Sequence, residues 1–319
     1  IRQWLLNDAG QLDSLREVVR VLIDKLVDVP LPLARVNIGV FTIHPETAGY
    51  AMTWKAGEAG GLDELAIPHK ATQTEAYLKS PIRMLAEHNT TLAFNLEDPA
   101  AGAEFAVIQE FRESGLTDYR GFSLPYGAGG VGVLTVCTRR PGGFTDDELT
   151  GLKTLFAPLK LIIAALESQR LARTVMQTYL GRQTGDLVLE GEIRRGEGEL
   201  IHAALWLCDL RDFTALSEAL GPKKTIAVMN AYFDCMAEAV WGAGGEILKF
   251  MGDAMLVVFR LCDETTEAQA VDRAYRAALR ALEALEQLDC SGIAAQRLEL
   301  RAGIALHVGQ VIYGNIGAR

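Results

Sequence analysis

The sequence has few cysteines and no two of them in a Cys-x-x-Cys arrangement, although the chain is 319 residues long. Metal-binding fingers and disulfide frameworks need closely spaced or paired cysteines, so neither class fits this chain. Most of the cysteines lie in apolar segments, where the residue behaves as a small hydrophobic side chain. We therefore expect five free thiols, at Cys137, Cys208, Cys235, Cys262 and Cys290.

Basic residues are also scarce, because 31 Lys and Arg stand against 41 Asp and Glu, for a formal net charge of −10. This balance excludes a general nucleic-acid-binding surface. No run of about twenty apolar residues occurs, so we expect no membrane segment. The first residues, IRQWLLNDAG, match neither a signal peptide nor a lipidation motif. A cytoplasmic location is therefore predicted.

Apolar residues make up 49% of the chain, enough for folded cores, and the length suggests two domains. Residues 11–28 carry apolar side chains at helical spacing, and segments typical of antiparallel strands follow them. A glycine-rich turn joins TDYRGFSLPYG to GVGVLTVCTR. This order of strands and flanking helices resembles a GAF-type sensory domain, which we assign to residues 1–150. The resemblance implies a small-molecule ligand whose identity the sequence leaves open.

Four residues of this predicted sensory domain could line a ligand pocket or fill the core: Tyr119, Phe122, Tyr126 and Cys137. Aromatic and thiol side chains serve both purposes. We favour core packing as the simpler interpretation.

The segment after the sensory domain is predicted to be a long helix. Thr145 and Glu148 form a capping box at its start. Apolar residues then recur three and four apart, the seam spacing of a two-stranded coiled coil, at Leu152, Leu155, Leu159, Ile162 and Leu166. Pro158 should kink the helix or mark its true start. We predict a parallel dimer stalk over residues 151–183; a helix packed on its own domain is the alternative.

Two carboxylates stand where apolar strands give way to turns in the C-terminal half. Asp209 follows AALWLC, and Asp253 lies between EILKFM and AMLVVF. A ferredoxin-like βαββ arrangement brings two such strand ends side by side, and neighbouring carboxylates suggest a metal site. Taken singly, either residue is more simply a turn or cap residue.

The motifs CDLRDFT and LKFMGDAM together resemble the catalytic domain of class III nucleotidyl cyclases. The resemblance implies an α+β fold with a ferredoxin-like, palm-type core. It implies that Asp209, Asp253 and the backbone carbonyl of Leu210 hold two Mg²⁺ or Mn²⁺ ions. It also implies that the backbone amides of Phe213 and Thr214, at a helix start, meet the β- and γ-phosphates of the nucleotide.

Lys249 matches the position that selects the purine in this family. An ammonium group can donate to N1 of adenine, whereas guanine carries a hydrogen there, and guanylate cyclases usually have an acid at this position. The lysine therefore favours ATP over GTP. The alternative is an edge lysine that protects the sheet from pairing with other strands.

We therefore predict that residues 184–319 form a catalytic domain that converts ATP to 3′,5′-cyclic AMP and pyrophosphate by two-metal catalysis. The resemblance implies a homodimer in which the metal aspartates of one chain face Lys249 of the other. A guanylate cyclase and a non-catalytic dimerisation module with a cyclase-like scaffold are the alternatives. The family's Asn…Arg pair should follow GNIG by some tens of residues, so we expect a C-terminally truncated chain with impaired catalysis.

Overall fold

The computed structural model describes residues 1–42, 47–57, 61–127, 129–180, 182–191, 198–261, 266–294 and 298–314. The chain divides into two compact units, Ile1–Leu171 and Ala172–Arg319. Both units mix helices with an antiparallel sheet, which confirms the predicted α+β class. The predicted domain boundaries near residues 150 and 183 stay a prediction.

The first unit contains six strands and seven helices among its described residues, the last helix continuing past Leu171. In chain order they are α1 (Arg2–Asn7), α2 (Leu15–Val27), β1 (Arg35–Phe41), β2 (Thr47–Lys55), β3 (Leu62–Pro68), α3 (Glu75–Leu78), α4 (Pro81–His88), β4 (Thr91–Asn95), α5 (Ala106–Glu113), β5 (Asp118–Tyr126), β6 (Gly130–Thr138), α6 (Asp146–Lys153) and α7 (Phe156–Leu180). Two short 3₁₀ helices, Ala9–Gln11 and His69–Gln73, complete the unit.

The strands of the first unit form one antiparallel sheet in the order β3-β2-β1-β6-β5-β4. Helix α2 buries its apolar stripe against this sheet because its large side chains recur three and four apart, as the sequence predicts. Helices α4 and α5 contribute residues to the opposite face of the sheet. This arrangement confirms the predicted GAF-like, antiparallel-sheet architecture.

The first part of the predicted dimer seam, from Leu152 to Ile162, lies in the core of the first unit, while the dimer stalk over residues 151–183 stays a prediction. Leu152, Leu155, Leu159 and Ile162 are all buried there against the sheet. Spacing of three and four identifies the apolar face of a helix but not what that face packs against. The alternative interpretation, a helix packed on its own domain, describes this part of the chain.

Two local predictions about the same helices hold. The Thr145 side chain accepts from the backbone of Glu148, and Glu148 accepts from the backbone of Thr145, so the capping box is present. Pro158 lies in the first turn of α7 and therefore marks the start of that helix rather than a kink within it. Proline is tolerated there because first-turn amides have no partner within the helix.

The four candidate pocket residues of the first unit do not face one site. Tyr119 and Cys137 pack with α5 on one side of the sheet, whereas Phe122 and Tyr126 belong to the core formed with α2 and α7. The physical reason is the two-residue period of a strand, which sends residues 119 and 122 to opposite faces. All four side chains are buried, as the core-packing interpretation predicts.

One helical stretch, Asp146–Gln177, is long and apolar enough to cross a membrane by length and composition alone. Several of its leucines and isoleucines are buried in the core of the first unit. A helix buried in the core of a protein can meet the same criteria of length and composition. Meeting them is therefore weak support for a membrane span. The predicted absence of a membrane segment stays a prediction.

A buried carboxylate on α7 holds this helix to the sheet. The Tyr50 hydroxyl of β2 donates a hydrogen bond to Glu167, and the two side chains are 7% and 6% exposed. Burial and then this hydrogen bond raise the pKa of Tyr50, so it stays a neutral donor. The Arg170 guanidinium lies 4.6 Å from the centre of the Tyr50 ring. Nη1 of Arg170 lies 3.9 Å from Oε1 of Glu167, so the buried carboxylate has a hydrogen-bond donor and a positive charge beside it in place of water.

We expect Tyr50→Phe to lower the free energy of unfolding by about 1–3 kcal/mol, because it leaves the buried Glu167 carboxylate without its donor. Tyr126→Phe is the matched control, since Tyr126 donates to a neutral acceptor, the backbone oxygen of Phe41. Its loss should be smaller, about 1 kcal/mol. Urea unfolding followed by circular dichroism measures both; equal losses would contradict a special role for the carboxylate.

The second unit contains the end of α7 and the remaining elements. They are α8 (Arg182–Leu189), β7 (Gly198–Leu210), α9 (Phe213–Leu220), α10 (Pro222–Gly242), β8 (Glu246–Met251), β9 (Ala254–Arg260), α11 (Glu267–Gln287), α12 (Ser291–Ala294) and β10 (Ala302–Gly314). Asp186 of α8 accepts from Gln177 and pairs with Arg173 of α7, so these two helices contact each other.

The four strands of the second unit are antiparallel in the order β10-β7-β9-β8. The first strand of the unit is therefore central, next to the third, which is the ferredoxin-like arrangement that the sequence predicts. Helices α10 and α11 cover one face of this sheet, where Trp206, Tyr232 and Phe259 are fully buried. Because strand side chains alternate, Leu207 and Asp209 of β7 project from the other face and are exposed.

Of the cysteines that the structure describes, Cys137, Cys208, Cys235 and Cys290 are free thiols, as predicted. Cys262 lies outside the described residues.

Candidate active site

Two aspartates meet at one end of the second sheet. Asp209 is opposite Ala254 in the pairing of β7 with β9, and Asp253 comes directly before Ala254. Gly252 and Asp253 form the two-residue turn between β8 and β9, and Gly252 adopts a positive φ of 66°. Such turns favour glycine because a left-handed conformation has no steric penalty there. The turn therefore places Asp253 beside the end of β7.

The carboxyl groups of Asp209 and Asp253 are close enough to share a hydrogen bond. Burial raises the pKa of Asp253, and the hydrogen bond and charge of Asp209 raise it further. Two carboxylates at this separation repel each other unless a proton or a cation lies between them. The juxtaposition that the sequence predicts is present, while the metal-binding role of the pair stays a prediction.

The chain after Asp209 turns sharply into α9, which begins with Phe213 and Thr214. Asp212 precedes the helix with φ 59°, and its side chain makes no capping hydrogen bond. The Asp212 side chain therefore does not cap this helix. Instead, the Asp212 carboxylate accepts from the Arg301 guanidinium at 3.0 Å. The first turn of α9 consequently presents backbone amides that the N-cap side chain does not bind.

Replacing Asp212 tests its unusual backbone conformation. Asp212→Gly should change the free energy of unfolding by less than about 0.5 kcal/mol, because glycine adopts a left-handed conformation without strain. Asp212→Ala should be less stable than the glycine variant by about 1 kcal/mol. Both variants lose the exposed ion pair with Arg301. The difference between their free energies of unfolding therefore measures the cost of the left-handed backbone conformation at position 212. Urea unfolding measures it, and an alanine variant as stable as the glycine variant would contradict this account.

Lys249 is exposed on β8, the edge strand of the sheet. A β-bulge between Ile247 and Lys249 shifts the pairing so that Lys249 lies opposite Leu256. Ile247 contributes to the core under the helices, and the extra residue turns Lys249 to the face that carries Asp209. Strand spacing puts the Cα atoms of Lys249 and Asp209 about 12 Å apart. Both earlier interpretations of Lys249, purine selection and edge protection, are compatible with this position.

Comparison with known proteins bears on this second unit. Residues 201–319 match the family model described as the adenylate and guanylate cyclase catalytic domain. These residues form a class III cyclase catalytic domain. The catalytic core that the sequence predicts is thereby confirmed, and its aspartate pair lies within the matched range.

Curated relatives of the cyclase domain include two bacterial enzymes. The chain is 30% identical over 111 residues to adenylate cyclase 1 of Rhizobium meliloti (strain 1021), covering 35% of this chain and 16% of that protein. It is 32% identical over 129 residues to the adenylate cyclase of Anabaena cylindrica, covering 39% and 24%. The chain thus spans less than a quarter of the length of either relative.

The first unit has a solved structural relative, the GAF domain of a two-component sensor histidine kinase from Bacillus halodurans. The identity is 17% and the TM-score 0.38, with 50% of this chain and 99% of that chain covered. The GAF-like architecture of the first unit rests on its own strand order and helix placement.

The cyclase domain offers two carboxylates for a metal, not a complete set of protein ligands. Among the residues that the structure describes, no group of three or more His, Cys, Asp or Glu side chains could hold an ion. Mg²⁺ commonly takes one or two carboxylates and completes its shell with water and substrate phosphates. The closely placed Asp209 and Asp253 fit that mode. Leu210 ends β7 with its side chain buried in the core, and its carbonyl stays a predicted ligand.

Arg301 is a candidate residue of the cyclase domain that the sequence interpretation missed. It directly precedes β10, its backbone oxygen accepts from Arg211 at 2.7 Å, and its exposed side chain reaches Asp212 before α9. A positive charge next to uncapped helix amides favours an anion. The motif RAGIALHVG gives no local signal of this contact, because Arg301 and Asp212 are 89 residues apart.

Proposed function

We propose that the cyclase domain converts ATP to 3′,5′-cyclic AMP and pyrophosphate. The observation that supports this best is the position of Asp209 and Asp253, which strand register places side by side, next to the start of α9. The reaction joins the ribose 3′-oxygen to the α-phosphorus, breaks the bond from that phosphorus to the β-phosphate bridge, and releases one proton. Negative charge therefore grows on the phosphates.

Asp209, Asp253 and the carbonyl of Leu210 would hold two Mg²⁺ or Mn²⁺ ions. When bound, such ions lower the pKa of the attacking hydroxyl and neutralise the triphosphate. The paired carboxylates have a simple electrostatic reason to bind them, since their mutual repulsion is relieved by cations.

The start of α9 would bind the β- and γ-phosphates. Phe213 and Thr214 contribute backbone amides there, and the N-cap residue Asp212 does not compete for them as a cap. Arg301 adds a mobile positive charge, because its partner Asp212 is also exposed and surface ion pairs exchange readily with other anions. The nucleotide would thus lie with its phosphates between the aspartate pair and the helix.

Lys249 would donate to N1 of adenine and so select ATP. Its position on the same sheet face as Asp209, but two strands away, is consistent with a head-to-tail homodimer in which each site takes its lysine from the partner chain. Dimerisation would then be a condition for catalysis. The first unit would regulate this step as a GAF-like sensor of a small molecule in the cytoplasm.

Product analysis of the full-length protein tests the proposal. With ATP and Mn²⁺ or Mg²⁺, cyclic AMP should form at least about tenfold faster than cyclic GMP forms from GTP, a difference worth about 1.4 kcal/mol. A preference for GTP would establish the guanylate cyclase alternative. No cyclic product from either nucleotide would support the non-catalytic scaffold. Glu286→Gln, which removes an exposed acid from α11, is the control for the effects of substitution and purification. It should leave the rates of both reactions unchanged.

A further inference from the structure

A glycine of β10 makes room for an arginine beside the aspartate pair. Gly303 lies directly opposite Asp209 in the pairing of β10 with β7. Opposite residues of antiparallel strands project to the same face, so a side chain at position 303 would stand next to Asp209. The Arg211 guanidinium takes that space, with Cζ and Nε 2.7 and 2.8 Å from where a Cβ atom of residue 303 would be. Glycine within a strand often marks such a close approach.

Arg211 directly follows β7, and its backbone extends the strand pairing. Its amide donates to the backbone oxygen of Arg301 at 2.7 Å, so the chain on both sides is fixed at this point. The side chain then crosses to Gly303 on the neighbouring strand. Cross-strand spacing puts the guanidinium within about 8 Å of the Cβ atom of Asp209. The positive group therefore lies on the sheet face from which Asp209 projects.

The guanidinium of Arg211 is available for a ligand. Among the residues that the structure describes, it makes no ion pair or hydrogen bond, whereas Arg301 pairs with Asp212 at 3.0 Å. An arginine bound to Asp209 would compete with a cation for that carboxylate. Because Arg211 lies on the Gly303 backbone instead, Asp209 stays free and the guanidinium keeps its donors for another acceptor. Other surface arginines are exposed too, but here a glycine makes room for the group.

We propose that Arg211 binds a phosphate group of the nucleotide beside the aspartate pair, and that Gly303 positions its guanidinium for this contact. A planar guanidinium offers two parallel donors to phosphate oxygens. Negative charge grows on the departing pyrophosphate, so a cation placed there stabilises the transition state. The inference rests on the proposed cyclase function and adds a substrate-binding residue to it.

Binding of 3′-deoxy-ATP with Mn²⁺ tests the contact without turnover, because this analogue lacks the attacking hydroxyl. Isothermal titration calorimetry of the full-length protein measures the dissociation constant. Arg211→Met should raise it about tenfold, and Arg211→Lys about threefold, since lysine keeps the charge but not the paired donors. Arg280→Met is the matched control, because it removes an exposed arginine from α11, which covers the other face of the sheet. It should bind the analogue as the unchanged protein does.

Gly303→Ala distinguishes a positioned arginine from a positive charge that is merely nearby. The added methyl group would occupy the place of the guanidinium, so the dissociation constant should rise about threefold when Arg211 is present. In an Arg211→Met protein, the same substitution should have no further effect. Equal losses in both proteins would contradict the positioning role of Gly303.

The remaining outcomes separate this inference from the proposed function. If the protein forms cyclic AMP and Arg211→Met binds the analogue as tightly as the unchanged protein, the inference is overturned and the function stands. Arginine-dependent binding without any cyclic product would uphold the phosphate contact and refute cyclase activity. No binding by the unchanged protein would overturn both. If size-exclusion chromatography shows that Arg211→Met dissociates a dimer, Arg211 contacts a partner chain instead, and the inference is overturned.

Discussion

Asp209→Asn is expected to lower cyclase activity on the order of 1,000-fold while leaving the fold intact. Asparagine keeps the size of the side chain but removes the charge that would hold a cation beside Asp253. Because Asp253 is raised in pKa by burial and by Asp209, removal of one carboxylate relieves repulsion in the protein without metal. We therefore expect the free energy of unfolding to stay equal or to rise, as is common for residues kept for function. Asp253→Asn should behave in the same way.

Initial rates of cyclic AMP formation at saturating Mn²⁺, together with urea unfolding, measure the two effects separately. Asp234→Asn is the matched control, since Asp234 is an exposed acid of α10 in the same unit. It should keep both the rate and the stability of the unchanged protein. If Asp209→Asn keeps more than about a tenth of the activity, the aspartate pair does not hold the catalytic ions. If it unfolds, the residue is structural.

Mixing two inactive chains is expected to restore activity if each site draws on both subunits. An Asp209→Ala chain still offers an intact Lys249, and a Lys249→Ala chain still offers an intact aspartate pair. In a twofold-symmetric heterodimer, one site then carries both changes and the other carries neither. Random exchange makes half of the dimers mixed, each with one of two sites intact, so about a quarter of the original activity should return.

The measurement is the rate of cyclic AMP formation after the two chains are unfolded together and refolded, with native mass spectrometry to count mixed dimers. Each variant treated alone is the control. Mixed dimers without recovered activity would place Lys249 and the aspartates in the same site of a single chain. Activity in the Lys249→Ala homodimer with ATP would instead support the edge-protection interpretation of that lysine.

The local sequence predicted the catalytic core well, for a physical reason. Apolar strands that end in an acid, such as the one before Asp209, show their burial and their exit point in the residues themselves. The glycine at position 252 also specifies a tight turn, so the position of Asp253 follows from the chain alone. Arg301 could not be found this way, because its contact with Asp212 exists only after two distant strands have paired.

For the apolar stripe from Leu152 to Ile162, the local sequence predicted the helical structure but not what the stripe packs against. Its spacing specifies helical structure with one apolar face. The structure divides this stretch into α6 and α7, and the apolar side chains of both face the core. The same spacing serves a dimer seam and a domain core equally well, and only the tertiary structure decided for the core. The sheet of the first unit is a similar case. Alternation along β5 sends Tyr119 and Phe122 to opposite faces, but the helices that cover those faces come from other parts of the chain.

The sequence by itself therefore determined the elements, their buried faces and the two acids at strand ends, because hydrophobic period and turn chemistry are local properties. The tertiary structure decided which helix covers which face of each sheet, and that Lys249 turns to the side of Asp209 through a bulge. Those facts depend on strand register and on packing between segments far apart in the chain, which no local pattern records.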